Sequence, residues 1–144
     1  MTRTTNPTGN PDDNGQPCRC GRTLAQGGKP LTYAHCCGRY HSGSVPAPDA
    51  ESLMRSRYTA YVLGLSAYLQ DTWHASTRPA NLALEPGVKW LGLEVRRHHQ
   101  TDEHHAEVEF VARSRLAGRG QRLHERSRFV KEDGRWLYVD GDLL

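Results

Sequence analysis

From Leu53 onward, Leu53, Met54, Tyr58, Tyr61, Val62 and Leu65 recur every three or four positions, which predicts one helix with a single apolar stripe. Asp49 suits the N-cap, Glu51 places an acid in the first turn, and Gly64 is a natural stop. A second short helix is predicted from Ser66, with Tyr68, Leu69 and Trp73, and Pro79 suits the start of a third short turn. After Glu85-Pro86-Gly87 the period falls to two. Residues 88–97 alternate with Leu91, Leu93 and Val95 on one face, residues 105–116 and 121–132 alternate around the turn Ala117–Gly120, and residues 135–140 follow a turn at Asp133-Gly134. Helices first, then an antiparallel meander of about four strands, define an α+β class with short N-terminal helices packed on a sheet.

The central hairpin carries its own register. A loop centred on Gly118-Arg119 pairs residue 116 with 121, which sets Val108 opposite Phe129, Phe110 opposite Ser127, Ala112 opposite Glu125 and Ser114 opposite Leu123. The reverse face then pairs Glu109 with Arg128, Val111 with Arg126 and Arg113 with His124. One face is apolar and the other charged, and Glu125 stands as a lone carboxylate among Val108, Phe110, Leu123 and Phe129.

Composition adjusts this picture at the N-terminal end. The chain has 144 residues, 36% apolar and 24% charged, which suits one compact domain with a small appendage. Residues 1–14 offer almost nothing to bury and read as a flexible tail; residues 15–45 form a separate small unit, joined through Ser42–Pro48 to a main domain over 46–144. No apolar run approaches the roughly 20 residues that span a bilayer, and the first residues show no signal-peptide core, so the expected compartment is the cytoplasm, where thiols stay reduced. The net charge of +3 does not by itself point to nucleic acid.

That compartment gives the cysteines their meaning. Cys18 and Cys20 form one close pair and Cys36 and Cys37 another, with Gly21, Gly27, Gly28 and Gly38 nearby to let the backbone turn tightly. Four thiolates in two short-spaced pairs match a tetrahedral Zn²⁺ site with no open position, hence a structural one. Disulfides or unrelated buried thiols are the alternatives, and His35 or His41 could stand in for one thiolate.

Further blocks, in order, carry a resemblance: CRCG, YAHCCGRYHSG, LMRSRYTAY, TWHASTRP, WLGLEV, VEFVAR, LHERSRFV and GRWLYVDG. From about Cys18 onward the chain resembles the bacterial YchJ-like family, and its cysteine segment is similar to the SEC-C motif also found at the end of the SecA translocation ATPase. The resemblance implies zinc at Cys18, Cys20, Cys36 and Cys37. It also implies that the remainder adopts the cone-shaped, cystatin-like fold of nuclear transport factor two and ketosteroid isomerase, a curved sheet around the first helices. The chain departs from the motif with Arg19 and Arg22-Thr23 where Pro and Ser-Gly are usual, and with a longer loop around Thr23–Lys29.

In such a cone Glu125 points toward a pocket, with Arg57, Tyr58, Trp73, Phe110 and Ala112 as expected lining and His74 at the rim. A carboxylate in apolar surroundings suits general acid or base work; the structural alternative is that Glu125 pairs with Arg55 or Arg57. His98, His99, His104 and His105 read as a polar surface turn. Arg113, Arg115, Arg122, Arg126 and Arg128 share the reverse face with Glu107 and Glu109, without the aromatics that stack bases, so a solvated, salt-bridged face is expected, or one covered by a second subunit. Three function classes follow, in this order: a binding or accessory protein whose knuckle docks a protein and whose cone holds a small molecule or none; an enzyme using Glu125 with His74 or an arginine; an RNA- or ribosome-associated protein using the arginine face. Whether the chain is an enzyme stays open at this level.

Overall fold

The structure is a computed structural model that describes residues 14–25 and 27–144. The expected flexible tail, residues 1–14, lies outside the described residues except for Asn14, whose carbonyl accepts from the Ala34 N–H at 3.1 Å. A 3₁₀ turn, Tyr33–His35, leads into helix α1 (Cys37–His41), then α2 (Ala50–Leu63) and α3 (Ser66–Asp71). Strands β1 (Lys89–Asp102), β2 (His105–Leu116), β3 (Arg119–Glu132) and β4 (Arg135–Leu143) follow as an antiparallel meander in the order β1-β2-β3-β4.

Helix α2 forms where its caps dictate. The Asp49 carboxylate accepts from the Ser52 N–H at 2.8 Å, and Gly64 closes the helix at φ 74°, a conformation that glycine adopts without strain. The expected single apolar stripe is corrected, because α2 is covered on two sides. Ser52, Ser56 and Thr59 are as buried as Leu53, Met54 and Tyr58. The small polar stripe meets the cysteine segment and the apolar one meets the sheet. No helix starts at Pro79; after α3 the next regular element is β1.

The sheet is bent by irregularities in the β1–β2 ladder at Trp90/Gly92, Val95/Arg97 and Gln100/Asp102, and in the β3–β4 ladder at Arg128/Phe129. The first of these moves Leu91 off the expected core face: it is exposed, whereas Trp90, Leu93 and Val95 pack on the core. The register of the β2–β3 hairpin is also corrected. The loop is Ala117-Gly118, both with positive φ (52° and 78°), and it pairs Leu116 with Arg119. Every partner therefore moves by two residues: Phe110 faces Glu125, Ala112 faces Leu123, Glu109 faces Arg126 and Arg113 faces Arg122. A shift of two preserves the faces, so the inward set still holds Phe110, Ala112, Glu125 and Phe129. On the reverse face Arg128 is paired with Asp140 and Asp142, Arg113 lies 3.6 Å from Glu94, and His124 meets Glu109 at 2.7 Å.

The cysteine segment does not form a core of its own. Cys18, Cys20, Cys36, Cys37, Tyr33 and Tyr40 belong to one buried cluster with Leu53, Met54, Val108, Phe129 and Trp136. Segments 15–45 and 46–144 thus contribute to one buried cluster.

Candidate metal centre and cone cavity

Chain geometry brings the four thiols together. Gly21, at φ 79°, turns the backbone so that its N–H returns to the Cys18 carbonyl at 3.1 Å. Gly38 is required for a different reason: a Cβ there would lie 2.7 Å from the Tyr33 carbonyl oxygen. The result is four buried cysteines whose Sγ atoms all lie within 4.8 Å of one another. Cys20 and Cys36 Sγ are 3.6 Å apart, Cys36 and Cys37 Sγ 4.0 Å, and none of the four is in a disulfide. A tetrahedron of thiolates around Zn²⁺, with bonds of about 2.3 Å, has edges of about 3.8 Å, so the donor set fits such an ion. The sulfurs also compete for protons. S–H donation from Cys20, Cys36 and Cys37 holds Cys18 far below the ordinary thiol range, while contact with Cys18 and burial push Cys37 well above it. All four can be thiolate together only where a cation replaces their protons.

Helix α2 supplies the surroundings of this cluster. The Thr59 hydroxyl donates to Cys37 Sγ at 3.4 Å and lies 3.8 Å from Cys18 Sγ; Arg55 Nη1 donates to the Cys20 carbonyl at 2.9 Å. Glu51 holds Arg55 at 2.8 Å and Arg22 at 3.5 Å. Thr59 was not singled out in the sequence, and Glu51, Arg55 and Arg22 were named there in other roles, although Ser52-Ser56-Thr59 repeats at helical spacing as a small polar stripe. His35 and His41 are not stand-in ligands. His35 Nδ1 bonds the Thr32 hydroxyl at 2.9 Å, and the His41 ring bridges the Tyr33 hydroxyl (2.6 Å) and the Ser56 carbonyl (2.8 Å). Burial holds His41 below its ordinary range, so it is neutral and donates to that carbonyl from Nε2.

On the other side of α2, between the helix and the sheet, lies a cavity of ≈ 610 Å³. Arg57, Tyr58, Trp73, Phe110 and Ala112 all border it, as does Glu125. Glu125 accepts from the Ser127 hydroxyl at 2.5 Å and lies over Gly141, where a Cβ would collide with its carboxylate. Neither Arg55 nor Arg57 pairs with it: Arg55 is held by Glu51, and Arg57 Nη1 donates at 2.7 Å to both the Leu69 carbonyl and the Thr72 hydroxyl. The Arg57 guanidinium carbon sits 5.0 Å from the Trp73 ring centroid and 4.7 Å from that of Tyr138. Burial pushes Tyr58 and Tyr138 up to about 12, leaving neutral phenols at neutral pH. The expected rim position of His74 is corrected. Its ring is fixed outside the cavity lining, between Ser76 and Glu132 at 2.7 Å each, because its backbone N–H is pinned to the Tyr138 carbonyl.

Comparison with known proteins agrees with both halves. Residues 49–141 match the family model described as YchJ, middle NTF2-like domain. The chain is 63% identical over 131 residues to a UPF0225 protein of Polaromonas naphthalenivorans, covering 88% of this chain and 96% of the relative. It is 60% identical over 121 residues to a UPF0225 protein of Bordetella pertussis, covering 81% and 90%. Two solved structures are similar. A SEC-C motif containing protein from Rhodopseudomonas palustris has a TM-score of 0.77 at 34% identity, over 90% of this chain and 99% of that one. One from Psychrobacter arcticus has a TM-score of 0.74 at 31% identity, over 89% and 82%. Among the described residues no helix is long and apolar enough to cross a membrane.

Proposed function

The chain belongs to the YchJ-like UPF0225 family, with a SEC-C motif ahead of an NTF2-like domain, and from that premise we propose that it is a zinc-stapled binding protein whose cone holds a small organic molecule. The cavity carries this reading. Its ≈ 610 Å³ falls in the range of small-molecule sites, and its mainly aromatic and aliphatic wall is broken by a few fixed polar groups, Glu125 and Arg57 among them. Zinc is the ion proposed for Cys18, Cys20, Cys36 and Cys37, because a closed tetrahedral set of four thiolates suits Zn²⁺ and leaves no position for a substrate. It would bind the four sulfurs and hold the α1–α2 junction; reduced thiols of this kind suit the cytoplasm. Native mass spectrometry of the full chain tests both parts. The expected spectrum shows one zinc per chain and a co-purified organic mass that leaves on mild activation. A metal-free folded chain would overturn the zinc assignment, and a bare cavity that takes up none of a small-molecule panel would overturn the binding reading.

The SEC-C likeness extends this reading to docking of a protein through the knuckle. Leu24, 70% exposed on the longer loop, is the side chain it would offer. Leu24→Asp is expected to abolish capture of a partner while zinc content and melting temperature stay unchanged; equal capture would remove docking. A second reading, acid–base catalysis by Glu125, is favoured by one observation: its carboxylate borders the cavity without an ion pair among the described residues. Glu125→Gln separates the two, since a binder retains uptake of ligand and an enzyme loses turnover of it.

A further inference from the structure

Arg57 is the polar group of the cavity wall to which that reading gives no task of its own. It is 6% exposed, yet among the described residues no carboxylate pairs with it. A buried charge without a counter-ion is costly, and the protein relieves this one only in part. Two hydrogen bonds engage Nη1, and the guanidinium carbon lies over the rings of Trp73 and Tyr138, which meet each other edge to face. Among the described residues the Nε–H and the two Nη2–H groups carry no hydrogen bond to the protein. Neither nitrogen is a sealed, orphaned atom, and Arg57 borders the cavity. The unengaged edge of the guanidinium is the edge that binds a carboxylate through two parallel N–H···O bonds.

The ladder gives the cavity a direction. Tyr138, which stacks on Arg57, is paired with the buried Phe129, while Glu125 is paired with Leu143, which is 74% exposed. Four residues of strand separate Phe129 from Glu125, about 13 Å. Arg57 therefore marks the deep end, while the strand position of Glu125 lies nearer Leu123 and Leu116, with its carboxylate turned back onto Ser127 and close enough to act electrostatically on Arg57 and Tyr138. An acid group at the deep end meets a cation, whereas a second acid group farther out meets a like charge.

We propose that the cavity takes a monoanionic organic acid, its carboxylate seated on the Nε–H and Nη2–H edge of Arg57 and its apolar body running along Phe110 toward Leu116 and Leu123. The inference rests on the cavity reading above and narrows it to a ligand class. It also gives Arg57 a task distinct from its structural contacts with Leu69 and Thr72, which use the opposite side of the guanidinium.

The test is titration of the full chain, freed of any bound ligand, with hexanoate, hexan-1-ol and adipate, read by calorimetry and by ¹⁵N NMR of the arginine side chains. Hexanoate is expected to bind about tenfold or more tightly than hexan-1-ol, and adipate more weakly than hexanoate. Arg57→Gln is expected to erase the preference for hexanoate. Equal binding of hexanoate and hexan-1-ol to the native chain would overturn the anion assignment and leave the cavity reading standing. No binding of any probe at millimolar concentration would remove both. Should Arg57→Gln fail to fold, the native Arg57 Nε–H resonance decides: it is expected to shift with hexanoate and not with hexan-1-ol, and an unmoved resonance under saturating hexanoate would overturn the proposal.

Discussion

Two polar clusters flank helix α2, and they are built on opposite rules. On one side the four sulfurs converge within 4.8 Å, each beside its competitors, in a cluster that could hold a single metal ion. On the other side the polar groups are spread along a cavity, with Arg57 deep and Glu125 farther out, bound to different neighbours and not to each other. The first arrangement suits architecture, because a closed ligand set exchanges nothing with solvent. The second suits recognition, because hydrogen-bonding capacity and charge are left for a guest. One helix serves both, through a Ser52-Ser56-Thr59 stripe and a Met54-Tyr58-Tyr61 stripe.

The largest expected effect tests whether the two sides are one body. Removing metal with a chelator, or replacing Cys36 with Ser, is expected to lower the melting temperature of the whole chain by more than about 10 °C, since the thiols share a core with Leu53 and Phe129. A cone that melts unchanged in chelator would break that unity. Next comes Gly38→Ala, where the new Cβ meets the Tyr33 carbonyl and the backbone must move; a loss of about 2 kcal/mol in denaturant unfolding is expected. Gly120→Ala, with open space around its Cβ, is the control and should change little. Asp49→Ala removes the cap of the shared helix and is expected to cost about 1 kcal/mol, with metal content intact. The smallest stability change is expected for Glu125→Gln, which keeps the Ser127 hydrogen bond: within about 0.5 kcal/mol of the native chain, with unchanged zinc and retained uptake of the ligand. A large loss of stability there would mean that Glu125 belongs to the scaffold.

Much of the local structure was legible in the sequence, and particular residues show why. Asp49 and Gly64 bound α2 because a cap and a stop act through backbone groups a few residues away. The period-two alternation assigned Glu125 and Phe110 to the inner face even though the hairpin pairing was two residues off, since a shift of two conserves sides. The error itself has a local cause. Two glycines, at 118 and 120, admit more than one turn, and Ala117 adopts a positive φ that its residue type does not advertise. His74 was misplaced because its position depends on Tyr138 and Glu132, about 60 residues away in sequence.

The sequence by itself determined the two cysteine pairs that converge, the α+β class and the sidedness of the strands. Those properties depend on spacing within a few residues, or on a period that any register preserves. Only the tertiary structure decided that the knuckle shares the cone's core, that among the described residues no acid forms an ion pair with the buried Arg57, and that α2 is covered on both sides. These are statements about which distant segments meet. A charge has no partner, and a stripe no cover, until the chain has closed its long loops around them.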